Sequence, residues 1–247
     1  MYCVFKKRNI IFVVIAIIIT ISASLGGYFI SSSSKPIYDF TIVIDAGHGG
    51  IDGGVVGVSG NTKESDINLE YAMCLESYFK SLNINVVQTR KTNDGLYGAF
   101  SENKKLDDMK KREEIITSAN ADIVISIHQN GYILPNQRGI CAFFNPKVET
   151  SKNLAVFMQD VFKERLDNAR KEALSGDYFI LNCTDRTSVL VECGFLTNPE
   201  DEKLLVTTAY KEKVCYSIFT AVVGFLVENA HLQVFNNVNM TDQSKGD

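Results

Sequence analysis

The stretch TIVIDAGHGG, residues 41–50, decides the fold class of this chain. Its first four residues are β-branched, which is typical of a buried strand, and the glycines that follow allow the backbone to turn tightly. Two similar apolar runs occur later, and each ends in a polar residue: IVISI before His128 and SVLV before Glu192. Because ligands bind at the carboxyl ends of the strands in open α/β sheets, we expect His48, His128 and Glu192 to meet at one edge.

Strand-like and helix-like segments alternate along the rest of the sequence. We predict strands at 41–44, 85–88, 122–127, 140–144, 178–181 and 188–191, and helices at 64–82, 106–120, 151–170 and 201–229, the last in one or two pieces. This alternation predicts an α/β fold. We expect a single domain with a mostly parallel, mixed central sheet that is covered by helices on both faces.

The N-terminus carries a basic cluster, Lys6–Arg8, before an uncharged apolar segment. Residues 10–30 are long enough to cross a bilayer, and basic flanks stay cytoplasmic. We therefore predict a cytoplasmic segment at 1–9, a transmembrane signal-anchor at 10–30 and a linker at 31–40. The alternative is a cleaved signal peptide, since Ser22–Ser24 is a passable cleavage site, but the apolar run resumes after it.

The remainder divides into a folded domain at 41–230, expected to lie outside the cytoplasm, and a polar tail at 231–247 that is a candidate for disorder. The chain has 45% hydrophobic and 22% charged residues, values that exclude a wholly disordered protein. Its formal net charge of −4 disfavours nucleic-acid binding. The cysteines are widely spaced without a C-x-x-C pair, so we read most of them as small core residues rather than as a disulfide framework.

The three histidines of the sequence suggest a metal site. Two of them, His48 and His128, follow apolar strands, and two imidazoles with a carboxylate make a usual catalytic zinc shell. Glu64 is the best third ligand because it begins a predicted helix after the glycine-rich loop. From spacing alone, a solvated Glu in the first turn of a helix is an equally good interpretation.

Several familiar catalytic templates are missing from the sequence. The glycine-rich loop lacks the lysine of a phosphate loop, and Asp52 stands where the last glycine of a dinucleotide-binding motif belongs. The sequence also has neither a G-x-S-x-G nor an H-E-x-x-H motif, which removes the α/β-hydrolase and zincin templates.

Several motifs, taken together and in order, resemble the zinc-dependent N-acetylmuramoyl-L-alanine amidases of the Amidase_3 type. They are Val43–Gly50, Asp52–Gly54, Glu64 with Asn68-Leu69, Thr89-Arg90, Arg112, Ala119–Asp122, Ser126–Asn130 and Val189–Pro199. The resemblance covers residues 41–228, which is nearly all of the predicted folded domain.

The resemblance implies a role for each matching position. His48, Glu64 and His128 would bind one zinc ion, and Glu192 would be the catalytic carboxylate. Arg112 and Asn130 would bind substrate or give structural support. Gln129 replaces the small residue usual after the second histidine, and Cys193 replaces a common Thr or Val, but neither change removes a functional atom.

Within this family, the chain most resembles the spore-cortex, or germination-specific, amidases. Three features support this subgroup: the short chain, the predicted anchor and a charged insertion at 94–111. That subgroup implies hydrolysis of the amide between the lactyl group of N-acetylmuramic acid and L-alanine of peptidoglycan, as a step toward muramic-δ-lactam. With the anchor predicted at 10–30, we expect the chain to lie in the cell membrane with its folded domain facing the cortex of a sporulating cell. We expect an activating partner protein as well, because a hydrolase that faces its own cell's wall needs restraint.

Two other functions stay open at this point. A zinc peptidase that cuts the stem peptide could use the same ligand set. A non-catalytic, anchored cell-wall-binding protein is disfavoured because His48, Glu64, His128 and Glu192 are all present.

Overall fold

A six-stranded sheet forms the centre of the folded domain. It is seen in a computed structural model that describes the backbone of residues 40–243 and the side chains of residues 40–229. Its strands are β1 (Thr41–Ala46), β2 (Asn85–Gln88), β3 (Ile123–Asn130), β4 (Cys141–Phe144), β5 (Leu174–Ser175) and β6 (Thr187–Phe195). Their order across the sheet is β2-β1-β3-β6-β4-β5. The four neighbouring strands β2, β1, β3 and β6 run parallel to one another. Strand β4 is antiparallel to β6 and parallel to β5. The predicted mixed, mostly parallel sheet is confirmed.

Helices cover both faces of this sheet, as predicted. They are α1 (Glu64–Ser81), α2 (Lys104–Ser118), α3 (Glu149–Arg165), α4 (Phe179–Asn182), α5 (Pro199–Leu205) and α6 (Thr208–Gln243). The larger core lies between the sheet and α1, α3 and α6, where Ile44 and Ile125 are buried among the helix residues. The smaller core lies under α2 and α4, where Val43 and Val124 face the other way. This alternation along each strand is the period of two that places successive side chains on opposite faces.

The prediction of a strand at 178–181 is wrong. Residues 179–182 form the short helix α4, and the Asn182 N–H donates to the Tyr178 carbonyl at 3.1 Å. An apolar run of four residues is too short to distinguish a strand from a helix by its period. Here Ile180 and Leu181 are buried against the smaller core, so tertiary packing decides the conformation. The two-residue strand β5 was not predicted, because both of its residues are exposed.

The C-terminal helical region forms two helices, α5 and α6, and the second reaches Gln243, within the segment that the sequence assigns to a polar tail. The predicted anchor at 10–30 lies outside the described residues, and so does almost all of the predicted linker. Within the described part of the chain, no helix combines the length and the apolar character that crossing a membrane requires.

Candidate active site

The carboxyl ends of the three central strands bring the predicted site residues together. His128 on β3 and Glu192 on β6 are direct partners in the parallel register. On these strands Val124 and Leu190 face the smaller core, so the alternation places His128 and Glu192 on that face as well. His48 lies just beyond the end of β1, which pairs with β3 on its other side.

Glu64 lies between the two imidazoles and completes a cluster of three ligand groups. Its Oε1 atom is 3.1 Å from His48 Nε2 and 2.8 Å from His128 Nδ1. One ligand atom from each residue lies within 4.8 Å of the others, so the cluster can hold a metal ion. Ligand atoms at about 2.0–2.2 Å from a tetrahedral zinc ion are roughly 3.3–3.6 Å apart, a few tenths of an ångström wider than the two distances from Glu64 to the histidines. The donor set and its spacing therefore fit zinc.

The loop before α1 folds back and fixes the Glu64 side chain. Glu64 is the first residue of α1, its N–H donates to the Val55 carbonyl, and its Oε2 accepts from the Val55 N–H at 2.8 Å. Gly54 has a positive φ of 66°, and a Cβ atom there would collide with Glu64 and with the His48 ring. Glycine is therefore required where the loop passes over the cluster.

The surroundings of Glu64 hold it as an anion. It is 2% exposed, and Oε1 also accepts from Asn68 Nδ2 and from the Gln129 N–H, both at 3.2 Å. Burial alone would raise the pKa of this carboxyl. The hydrogen bonds and positive charge of His128 and His48 outweigh burial and lower the pKa far below its usual value. A buried, fully hydrogen-bonded carboxylate of this kind is suited to binding a cation.

His48 sits in a strained backbone conformation that its neighbours hold in place. Its φ is 62°, which is uncommon for a residue other than glycine. The Arg112 Nη2 group donates to the His48 carbonyl at 2.6 Å, and the Gly47 N–H donates to the Ile127 carbonyl at 3.1 Å. A Cβ atom on Gly47 would overlap the His128 ring, so only glycine allows the two imidazoles to approach.

Asp52 is a site residue that the sequence analysis missed. Its Oδ1 atom lies 3.0 Å from His48 Nδ1, the ring nitrogen that does not face Glu64. Burial alone would lower the pKa of His48, but Glu64 and Asp52 together raise it. A carboxylate on the outer nitrogen of a metal-binding imidazole fixes its tautomer and orientation. The spacing of four residues between His48 and Asp52 in a glycine-rich loop is the signal that could have indicated this role.

Glu192 has a different environment from Glu64. It is 7% exposed, and its Oε2 atom is buried without a hydrogen-bond partner among the described residues. Burial raises the pKa of Glu192 to about 7, against a partial offset from the positive charge of His128. A carboxyl poised near neutral pH beside a metal cluster is suited to taking up and releasing a proton.

Arg112 forms the buried support beneath the cluster. It is 1% exposed, and its guanidinium binds Asp45 and Asp108, each at 2.6 Å. Burial alone would raise the pKa of Asp45, but Arg112 and hydrogen bonds from Ser126 and Thr89 lower it. Because Arg112 also donates to the Ala46 and His48 carbonyls, its geometry favours a positioning role over substrate binding.

Asn130 ends β3 near the cluster and is half-buried. Its backbone carbonyl accepts from the Leu196 N–H at 2.9 Å, which joins the ends of β3 and β6. The neighbouring Gln129 is buried and donates from Nε2 to Asn68 Oδ1 at 3.2 Å. Gln129, the departure from the family pattern, therefore supports the helix that carries Glu64.

A cavity of about 400 Å³ opens beside the two histidines. One wall comes from the loop after β1, with Ile51 and Asp52, and another from the start of α2. Tyr178 and Phe179 close the third side. The arrangement provides a cation site, a carboxyl with a pKa near 7 and an adjacent space for a substrate, which together suit hydrolysis of an amide.

Comparison with known proteins identifies a family of amidases, in agreement with a site that suits amide hydrolysis. Residues 42–223 match the family model Amidase_3, described as N-acetylmuramoyl-L-alanine amidase. The germination-specific N-acetylmuramoyl-L-alanine amidase of Bacillus subtilis is 32% identical over 202 residues, which cover 79% of this chain and 83% of that protein.

Two solved structures share the fold. The CwlD amidase from Clostridioides difficile, solved in complex with the GerS lipoprotein, is 32% identical, with a TM-score of 0.73 over 76% of this chain and 98% of that one. The catalytic domain of CwlV, an N-acetylmuramoyl-L-alanine amidase from Bacillus (Paenibacillus) polymyxa var. colistinus, is 26% identical, with a TM-score of 0.67 over 76% of this chain and 98% of that one.

Proposed function

The chain belongs to the Amidase_3 family of N-acetylmuramoyl-L-alanine amidases, and on that premise we propose that it cleaves peptidoglycan with one zinc ion held by His48, Glu64 and His128. The bond is the amide between the lactyl group of N-acetylmuramic acid and L-alanine of the stem peptide. The observation that carries the proposal is the buried Glu192 Oε2 atom, which has no hydrogen-bond partner among the described residues and belongs to a residue in register with His128, beside a cluster that fits a cation. Family membership removes the alternative of a stem-peptide peptidase.

The bound ion supplies one part of the chemistry. When bound, zinc would lower the pKa of a water molecule to about 7 and would polarise a carbonyl oxygen. The protein's part is to hold the ligand atoms in place. Glu64 does so with an ionised carboxylate, and Asp52 does so by fixing the His48 ring from its outer nitrogen.

Glu192 moves the proton. Its carboxylate accepts a proton from the attacking water and then delivers it to the nitrogen of the leaving L-alanine, so that a free carboxyl remains on the lactyl group. A Glu with an ordinary pKa is a weak base. Burial raises the pKa of Glu192 to about 7, which makes its carboxylate a stronger base. The position of Glu192 on a central strand keeps the carboxyl in a fixed geometry.

The biological setting is inferred from the relatives. The germination-specific amidase of Bacillus subtilis supports a role in maturation of the spore cortex, where removal of the peptide is a step toward the muramic-δ-lactam ring. The complex of CwlD with the GerS lipoprotein supports a partner protein that stimulates the activity of this chain. High turnover by the isolated chain on purified peptidoglycan would contradict the need for such a partner.

The decisive experiment for the activity is muropeptide mass analysis. Purified chain is incubated with peptidoglycan, with and without a chelator, and the products are examined for muramic acid with a free lactyl carboxyl and for stem peptides that begin with L-alanine. We expect both products, and we expect the chelator to abolish them. Products cut within the stem peptide, or activity that resists chelation, would contradict the proposal.

The membrane anchor predicted at 10–30 needs its own test. Protease added to intact protoplasts should release the folded domain if Lys6–Arg8 keep the N-terminus inside the cell. Complete protection of the domain would show that it does not lie outside the cytoplasm.

A further inference from the structure

Two lysines line the cavity beside the metal cluster and have no role in the chemistry described so far. Lys104 and Lys105 are the first residues of α2, and both line the cavity together with the two histidines. The Lys105 Nζ atom lies 3.6 Å from Asp52 Oδ2, and the other oxygen of Asp52 contacts His48. The Lys105 ammonium is therefore only one side chain away from a residue of the metal cluster.

The loop before α2 is attached to the loop that carries His48. The Gly50 N–H donates to the Asn93 carbonyl at 2.7 Å, and the Ile51 N–H donates to the Tyr97 hydroxyl oxygen, also at 2.7 Å. The Lys104 Nζ atom lies 5.3 Å from the centre of the Tyr97 ring, within the range of a cation–π contact. These contacts hold the start of α2 close to the metal cluster.

The positive charge of the two lysines is available to a ligand. The buried acids of the same wall, Asp45 and Asp108, are both paired with Arg112. Lys104 makes no ion pair within the described part of the chain, and the Lys105 side chain is 76% exposed with only a loose contact to Asp52. Although the chain has a net charge of −4, the mouth of its active site is bordered by two adjacent cations, which attract an anionic group.

We propose that Lys104 and Lys105 form a subsite for a free carboxylate of the stem peptide, next to the amide that is cleaved. This inference rests on the proposed function, because it places the scissile amide at the metal cluster. A peptide extends by about 3.3–3.6 Å per residue, so a carboxylate on the residue after L-alanine comes within reach of a lysine side chain. The subsite makes the enzyme selective for acidic stem peptides over those whose carboxyl is converted to a carboxamide.

Two synthetic substrates that differ in a single group test this subsite. In both substrates the γ-carboxyl of the second residue is blocked as a methylamide: N-acetylmuramoyl-L-alanyl-D-glutamate γ-methylamide keeps one free carboxylate, the α-carboxylate, and N-acetylmuramoyl-L-alanyl-D-isoglutamine γ-methylamide carries a carboxamide at the same position. With the zinc-loaded full-length chain we expect kcat/KM to be about tenfold higher for the carboxylate, as for a partly exposed, charge-assisted contact. The preference should shrink as ionic strength rises, because salt screens exposed charges.

The double variant Lys104→Met/Lys105→Met should bring the ratio of the two kcat/KM values close to one. The matched control is Lys110→Met/Lys111→Met, which removes the same charge from the same helix at positions that do not line the cavity. It should keep the preference of the wild type.

Three outcomes would overturn the subsite. The first is that the wild type has equal kcat/KM values on both substrates. The second is that the Lys104/Lys105 variant keeps the preference for the carboxylate. The third is that both kcat/KM values of this variant fall together, so that their ratio stays that of the wild type. Failure of the wild type to cleave either substrate would instead overturn the proposed function, and the subsite with it.

Discussion

Two glutamates flank the same pair of imidazoles, yet the regions around them are opposite in character. Glu64, at the junction of a glycine-rich loop and α1, accepts hydrogen bonds on both oxygens, and its pKa is lowered. Glu192, in the carboxyl-terminal half of β6, is nearly as buried, but its Oε2 atom has no hydrogen-bond partner among the described residues, and its pKa is raised to about 7. The difference shows that burial alone does not set the charge of a carboxyl; what decides it is whether donors are present to replace water.

The contrast indicates different roles for Glu64 and Glu192. A carboxylate that stays ionised throughout the neutral range can hold a metal ion, whereas one whose pKa is near 7 can exchange a proton during each turnover. The predictions below test this assignment, from the largest expected effect to the smallest.

Replacing Glu192 with Gln should have the largest effect. The substitution keeps the size of the side chain but removes the basic oxygen, and loss of a general base costs about 10²–10⁴-fold in rate. The zinc content should stay at one ion per chain, because His48, Glu64 and His128 remain. The measurement is kcat together with zinc per chain. Loss of zinc from this variant would show that Glu192 is a ligand instead.

The matching change at Glu64 should act on the metal. Glu64→Gln removes a ligand atom, so zinc affinity should fall by at least about 100-fold, which is the upper range for a supporting residue of a metal site. Activity should recover in part when zinc is added in excess. The control is the third histidine, since His231→Ala should keep both zinc and activity. A Glu64→Gln variant with normal zinc and normal activity would reverse the assignment.

Asp52 should have a smaller effect of the same kind. Asp52→Asn removes the charge that orients His48 from its outer nitrogen, and changes of this type cost about 10–100-fold in zinc affinity. Zinc titration with a competing chelator measures the change. Activity at saturating zinc should approach that of the wild type, because the three ligands are intact. An unchanged zinc affinity would show that the contact between Asp52 and His48 has no role in the metal site.

The smallest effect concerns the stability of the metal-free protein. The Glu192 pKa rises from 4.5 in the unfolded chain to about 7 in the folded one, so between these values the folded state binds more protons and its stability falls as pH increases. A Gln side chain does not titrate, so the variant does not lose folding stability in this pH range through residue 192. In chelator-treated protein, Glu192→Gln should therefore be about 1–3 kcal/mol more stable than wild type at pH 8, with a smaller difference at pH 5. Urea unfolding at both pH values measures it, and an equal difference at both would show that Glu192 is not the group that titrates.

Local sequence patterns predicted most of the fold because they depend on short-range periodicity. The nearly continuous apolar runs of β1, β3 and β6 mark strands buried on both faces, and the helical spacing after Glu64 marks α1. The same patterns failed at residues 178–181, where four apolar residues are too few to define a period. The packing of Ile180 against the smaller core made that segment a helix.

The sequence by itself determined the fold class, the strand ends that carry His48, His128 and Glu192, and the family through its ordered motifs. It left the charge states and the walls of the site undecided. The pKa of Glu192, the contact of Asp52 with His48 and the place of Lys104 in the cavity arise from groups brought together from distant parts of the chain. Only the tertiary structure decides them, because desolvation and electrostatic interaction depend on distances in space and on which donors replace water, and neither quantity is a local property of the sequence.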